Sequence, residues 1–375
     1  MFAAARASAG EVAPRRASLS NGLRSHRDIG ATGLSEGRQA SGLRRGGGPS
    51  GVFPRLLLAC LSDAPHGVRV VPQRRPSRLQ TRLPTTVVSW NIAKKHEPWR
   101  QLVRMGADVA LLQEAGQPPA DVANQVETGV VECWDPHGWN SRWFEGRWNN
   151  LCDRFSMVVK LSDRVRVEWF KQVSPISDTA EDEIAVSGIG TIAAARITPQ
   201  DAPPFVAVSM YARWIKPHPS TGTTWSVGYA DASSHRITSD LSAFIGSTDP
   251  ATHRILAAGD LNMIHGATGG NPLAPPARDR TVTDRMKALG LEFLGPQHPE
   301  GGRQASPTPQ GLPPDTRNVP TYHTTTKTPA TAENQLDYAF ASRGFHNTIT
   351  VQALNDPDRW GPSDHCRLLI DIASD

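Results

Sequence analysis

The chain has 375 residues, 38% hydrophobic and only 6% aromatic, with a formal net charge of +4. That length can bury a sizeable core in one large domain or two ordinary ones, and no apolar run approaches the ~20 residues of a membrane-spanning helix, which excludes stable membrane insertion. The charge is unevenly spread: residues 1–80 carry 13 Arg, no Lys and four acids, a net of +9, while residues 81–375 carry 27 basic and 32 acidic residues, a net of −5, so the body offers no general polyanion-binding surface.

Residues 1–80 are rich in Arg, Gly, Ala and Ser and hold no sustained period of 3.6 or 2. Such a composition cannot bury enough apolar surface to offset chain entropy, which predicts a disordered extension. Three readings are open for it. Arg15-Arg16, Arg44-Arg45 and Arg74-Arg75 suit a nucleic-acid-binding arm, the Arg- and Ser-rich, acid-poor make-up suits a targeting segment, and an extension without function is the preferred third. Leu57-Leu58-Ala59-Cys60 looks like a lipoprotein cleavage box, but the run Leu56 to Leu61 is shorter than the roughly 7–15 apolar residues of a signal. Cys60, Cys133, Cys152 and Cys366 show no CxxC spacing and read as reduced thiols, with a Cys133–Cys152 bridge as the alternative.

One domain is predicted over residues 81–375. The β-branched run Thr85-Thr86-Val87-Val88-Ser89-Trp90 is its first strand. A short helix follows over Trp99 to Met105. Asp108 to Gln113 reads as a strand buried on both faces. Further strands are predicted at 155–160, 164–173, 189–197, 204–210, 254–259, 337–341, 348–353 and 367–372, and helices at 234–246 and 278–289. The Pro-rich stretches 212–222 and 295–320 read as loops, the second with seven prolines. Many strands with few intervening helices predict two packed sheets with helices outside them, not an alternating Rossmann arrangement.

There is no HExxH, Walker A or GxSxG pattern, and the 12 histidines show no zinc-ligand spacing. Gly188-Ile189-Gly190-Thr191-Ile192-Ala193 matches a loose GxGxxA but opens a β-branched segment instead of a helix. What remains is a set of polar residues where apolar strands end: Asn91 after the first strand, Gln113-Glu114 after Val109 to Leu112, Asp260 and Asn262 after Ile255 to Gly259, Asp337 opening Asp337 to Phe340, and Asp364-His365 before the last strand. Strand ends are held rigidly by a core, so carboxylates there can be finely positioned. Acids, amides and one histidine are the hard-oxygen inventory of a magnesium site. With a phosphate substrate, magnesium supplies charge neutralisation and a water nucleophile. Each residue alone reads as a strand cap or turn residue; their coincidence points to chemistry.

Ser89-Trp90-Asn91, Leu111-Leu112-Gln113-Glu114, Ser209-Met210-Tyr211, Ala258-Gly259-Asp260-Leu261-Asn262, Gln335-Leu336-Asp337-Tyr338 and Gly361-Pro362-Ser363-Asp364-His365 occur in an order that resembles the endonuclease/exonuclease/phosphatase superfamily of magnesium-dependent phosphoesterases. The resemblance covers residues 85–372. It implies a four-layered α/β (α+β) sandwich, with two packed, mainly antiparallel mixed sheets flanked by helices. It further implies Glu114 as the main Mg2+ (or Mn2+) ligand, with Asn91 nearby and Asp364 completing the metal site. Asp260 would orient or deprotonate the attacking water and Asn262 would hold that water or a phosphate oxygen. His365 would donate to the scissile phosphate, oriented by Asp337 through its other ring nitrogen. Tyr211 stands where nuclease-like members carry a phosphate-contacting tyrosine; the alternative is an aromatic core residue. For Asp337 and His365 the alternative is a buried ion pair.

Substrate signals are thinner. Arg213 and Trp214 follow Tyr211 where abasic-site endonucleases carry a Tyr-x-Pro-Asn pattern, and Gln335 replaces the Arg frequent in that branch; both departures argue against abasic-DNA specificity. The stretch 134–148 packs Trp134, Trp139, Trp143 and Trp148 with Phe144, Arg142 and Arg147. Those residues could stack bases of single-stranded nucleic acid, hold a sugar or lipid headgroup, or simply anchor a long loop. His265 could reach the phosphate or be a plain loop histidine. His235-Arg236 is expected at the start of the helix reading Ile237 to Ile245. The leading expectation is therefore a magnesium-dependent phosphodiesterase or nuclease acting on nucleic acid, short or single-stranded. The alternatives are a phosphatase or phosphodiesterase for a small metabolite, inositide or lipid headgroup, and an inactive binding protein on the same scaffold. The sequence names no protein partner. Its Ala-, Arg-, Gly- and Pro-rich composition suits a high-GC bacterial genome, which makes a cytoplasmic location the default.

Overall fold

The β-branched run forms strand β1 (Thr85–Asn91), which pairs in parallel with β2 (Val109–Ala115) through a crossover containing the short helix α1 (Glu97–Leu102). The computed structural model describes residues 83–135, 155–174, 178–186, 191–212, 229–245, 249, 252–268 and 276–374. The predicted extension 1–80, the stretch 136–154 with Trp143 and Arg147, and the loop from Arg213 with Trp214 lie outside those residues. Among the described residues the first sheet runs β12 (Ile349–Ala353), β13 (Leu368–Ile372), β1, β2, β3 (Phe155–Lys160). The second runs β10 (Leu291–Gly295), β11 (Asp337–Ser342), β9 (Ile255–Asp260), β8 (Phe205–Tyr211), β7 (Ile192–Pro199), β4 (Val165–Trp169). Each is antiparallel except at one central pair, β1 with β2 and β8 with β9. A separate parallel pair joins β5 (Lys171–Val173) to β6 (Glu183–Ala185).

Side chains alternate between the faces of each strand, and the alternation builds the layers. Val87, Val109 and Leu111 of the first sheet face Ala195, Ala207, Leu256 and Ala339 of the second. The outer face of the first sheet, Val88, Trp90, Ala110 and Leu112, is covered by Trp99 and Leu102 of α1. The outer face of the second, Val208, Met210 and Ala257, is covered by α2 (Tyr229–Leu241) through Ile237 and Leu241 and by α3 (Pro276–Ala288) through Met286. Helix, sheet, sheet and helices give the expected four layers.

Local departures from the expected elements have simple causes. The stretch 164–173 breaks at Phe170, which turns into the apolar cluster beneath α2, leaving β4 and β5 as separate strands. The strands β6 and β10 are short and carry acids and glycine, too little alternation to stand out. α2 begins ahead of the expected 234, so His235 and Arg236 lie within it and not at its start. Cys133 and Cys366 are buried thiols. No helix among the described residues is long and apolar enough to cross a membrane.

Candidate active site

Register brings the polar strand ends together. Asp260 is the last residue of β9, opposite Tyr211 at the end of parallel β8 and opposite Asp337 at the start of antiparallel β11. All three share the inward parity of Leu256, Ala258 and Ala339, so they gather at one end of the space between the sheets. Across that space Asn91 ends β1 with the parity of inward Val87.

Glu114 would alternate with Ala110 and Leu112 onto the outer face. It does not, because the pairing of β2 with β3 slips between Leu112 and Ala115 and Glu114 takes a left-handed φ of +46°. A bulge of this kind re-aims a side chain at the end of a strand, and here it brings Glu114 Oε1 within 2.9 Å of the donating hydroxyl of Tyr211. Tyr211 is buried as a core aromatic would be, yet its hydroxyl belongs to the polar cluster.

The Asp260 carboxylate is held from both sides. Oδ2 accepts from Asn91 Nδ2 at 3.0 Å and from Asn262 Nδ2 at 2.9 Å, and Oδ1 accepts from the Asn262 backbone N–H at 2.8 Å. Asn262 makes both of its bonds from a left-handed φ of +49°. Asn91 was expected beside a metal, but its amide nitrogen serves Asp260 and its amide oxygen accepts from Ala93 N–H at 3.0 Å. The first of these bonds orients the Asp260 carboxylate.

His365 is placed by three anchors: its carbonyl accepts from the Trp90 indole at 2.9 Å, Ser363 Oγ donates to the Asn91 carbonyl at 2.7 Å, and Nδ1 donates to Asp337 Oδ2 at 2.8 Å. Nε2 stands 3.8 Å from Asp260 Oδ2, an ion-pair separation too long for a hydrogen bond. Burial alone would lower the imidazole pKa, but the Asp337 and Asp260 carboxylates outweigh it and raise it to about 10. Burial pushes Asp260 the same way, to about 7, with Asp337 adding to it and His365 opposing it. By contrast the buried carboxylate of Asp108, at the opposite end of β2, is satisfied by Arg164 through bonds of 2.8 and 2.6 Å and by Ser162 and the Thr86 N–H. That acid is structural; Asp260 faces a histidine.

Tyr322 belongs to the site and was not anticipated. A β-bridge ties it to His365, the two rings lie 4.9 Å apart, and burial together with Asp364, Asp260 and Glu114 raises its pKa. Three carboxylates therefore converge on one phenol. Beside it, the Thr321 hydroxyl accepts the N–H groups of Leu336 and Asp337 at 3.0 and 3.1 Å and pins the start of β11. Both residues sit at the end of a Pro-rich loop without periodicity, so only the fold reveals them. Asp364 is half-buried, with Oδ1 accepting from Ser363 Oγ at 3.2 Å. His265 is not gathered with these groups: its ring packs 4.5 Å from Phe293, and its N–H donates to the Tyr338 hydroxyl. It reads as part of the aromatic support under β11.

The sequence profile of the Endonuclease/Exonuclease/phosphatase family matches residues 88–365. Among solved structures, the AP endonuclease LMAP from Leishmania major superposes with a TM-score of 0.50 at 13% identity, over 78% of this chain and 89% of that one. The endonuclease domain of TRAS1, a telomere-specific non-LTR retrotransposon, gives 0.46 at 15% identity over 78% and 99% of the two chains. A 3'-5' exonuclease from Neisseria meningitidis gives 0.45 at 13% over 76% and 99%. The first of these likenesses supports a shared fold. A search of curated proteins returned no match.

Proposed function

The chain belongs to the endonuclease/exonuclease/phosphatase family of phosphoester hydrolases, and we propose that it cleaves phosphodiester bonds of nucleic acid by attack of a water with the help of a divalent cation. One observation carries the reading: His365 has one N–H fixed on Asp337 while the other, at Nε2, is uncommitted and lies beside the Asp260 carboxylate. An imidazolium so placed donates to a phosphate oxygen as charge builds on it. Asp260, with a pKa near neutrality, suits the removal of a proton from water, and Asn91 and Asn262 hold its oxygens in place. Tyr322, kept protonated by burial and the nearby carboxylates, can donate to a remaining phosphate oxygen, while Tyr211 gives its hydroxyl to Glu114 and holds that carboxylate in place.

Glu114 and Asp364 would hold the cation, Mg2+ or Mn2+, because their donors are hard carboxylate oxygens and both bear on the same phenol, Tyr322. When bound it would neutralise phosphate charge and lower the pKa of water. Ligand atoms of Asp260, Asp337 and His365 also lie within 4.8 Å of one another. With Nδ1 of His365 held by Asp337 at 2.8 Å, the same trio suits the phosphate- and water-directed roles given above.

The net charge of −5 over residues 81–375 favours a second reading, a small phosphorylated metabolite or headgroup, which needs only one or two phosphates neutralised. A hydrolysis panel separates the two: single-stranded DNA, duplex DNA, abasic duplex, RNA and a phosphorylated inositol, each with magnesium and with a chelator. Metal-dependent cleavage of a nucleic-acid class supports the proposal. Turnover of the inositol phosphate alone transfers the case to the second reading.

A further inference from the structure

A cavity of about 300 Å³ opens between the loops that follow β1 and β2, lined by Lys94, His96, Gln117, Trp99, Trp134 and Phe155. It adjoins the edge that carries the site, since the Lys94 N–H donates to the Glu114 carbonyl at 2.9 Å and Gly116 and Gln117 follow directly on β2. We propose that this cavity is a base-binding subsite that takes one nucleobase of the strand being cut. The inference rests on the nucleic-acid reading above and names how that substrate would be held.

Four features favour a base over a phosphate or a lipid tail. The volume sits at the lower end of small-molecule sites and suits a single planar ring system. Its floor is aromatic and rigid, with Trp99, Trp134 and Phe155 almost fully buried and the last two rings 5.4 Å apart. The indole N–H of Trp134 is buried without an acceptor. A donor left so is costly, and a ring nitrogen or carbonyl of a base would satisfy it. Asp135 also lines the cavity; its carboxylate repels a phosphate but accepts from exocyclic amino groups. Lys94 and His96 stand exposed at the rim, where N–H donors meet the phosphates on either side of a bound base. Ala93 and Lys94 hold left-handed φ values of 49° and 57° to shape that rim, strained geometry of the kind that gathers at ligand clamps.

The test uses the full chain and short oligonucleotides in which each base flanking the cut is replaced, one at a time, by a tetrahydrofuran residue. The wild-type protein should show one position where loss of the base lowers kcat/KM roughly ten-fold, the scale of one stacked base. That ratio should fall towards one in Gln117→Trp, which fills the cavity from an exposed rim position, and should shrink in Trp134→Phe, which removes the indole N–H. Thermal unfolding confirms that both variants are folded. Oligonucleotide cleavage with no base-dependent position, or a ratio unchanged in both variants, overturns the subsite while leaving the proposed function standing. Failure of the wild-type protein to cleave any oligonucleotide overturns both.

Discussion

His365 and Asp260 form a buried pair whose protons are set by their surroundings more than by their own chemistry. Asp337 binds Nδ1 of His365 and so, in the proposed reaction, leaves Nε2 as the nitrogen that would face substrate. Asp337→Asn keeps the shape but removes the charge; kcat should fall roughly 10²–10⁴-fold with little change in KM, and the His365 pKa followed by NMR should drop. An unchanged kcat would remove Asp337 from the mechanism. The same shifts bear on stability in the metal-free protein. The folded state raises His365 from 6.5 to about 10, so it binds that proton more tightly than the unfolded chain does. The resulting stabilisation is full below pH 6.5 and is lost as pH climbs towards 10. Asp260, raised from 3.8 to about 7, acts in the same direction at lower pH. Unfolding midpoints of metal-free wild type should therefore decline over the His365 window, and the decline should flatten in His365→Gln. Parallel pH curves for the two proteins would contradict the assignment.

At the scale of elements, the site depends on β8 and β9 lying side by side in exact register. Gly259 makes this possible: at φ +154° a Cβ there would sit 1.9 Å from the Met210 carbonyl oxygen. Gly259→Ala should force the two strands apart, costing roughly 2–4 kcal/mol and displacing Asp260. Thermal unfolding and activity should fall together, and a variant of normal stability would show that the close approach is dispensable. The strands carrying the site were legible in the sequence because Val87-Val88, Val109 to Leu112 and Ile255 to Ala258 are apolar or β-branched runs with a polar residue at one end. What was not legible depends on geometry. Glu114 faces the cluster only because a bulge reverses its parity, and Tyr322 reaches His365 only through one isolated bridge from an irregular loop. For Asn91 the motif gives order and residue type, while the direction of its hydrogen bonds to Asp260 and Ala93 belongs to the folded chain. For His265 the sequence leaves a phosphate contact and a plain loop histidine equally open, and its packing 4.5 Å from Phe293 is visible only in the fold.

Among the described residues, the groups proposed to act in catalysis gather at one edge of the two-sheet sandwich, where β1, β2, β8 and β9 end and β11 and β13 begin. The structural ion pair of Asp108 with Arg164 marks the opposite end of β2. The family and the two-sheet architecture were both readable from six short motifs in order, since each motif sits at a strand end that the core positions. Substrate class was not, because the residues that would decide it lie in loops without periodicity. The uneven charge makes its own prediction. A body of net −5 can make few phosphate contacts, so kcat/KM on a short single strand should weaken only modestly between low and physiological salt, with a log–log slope of about −1 to −2. A slope of the steepness seen for proteins gripping many duplex phosphates would show that the basic residues 1–80 take part in binding.

The most direct test of the account is single-turnover hydrolysis of a short single-stranded oligonucleotide by the full chain, with magnesium and after chelation, alongside Asp260→Asn and Glu114→Gln checked for folding. Cleavage should require the metal, should fall by roughly 10³-fold or more in Asp260→Asn, and should lose its response to magnesium in Glu114→Gln. Cleavage that persists in chelator, or Asp260→Asn working at the wild-type rate, would contradict a site built around that carboxylate and a divalent cation.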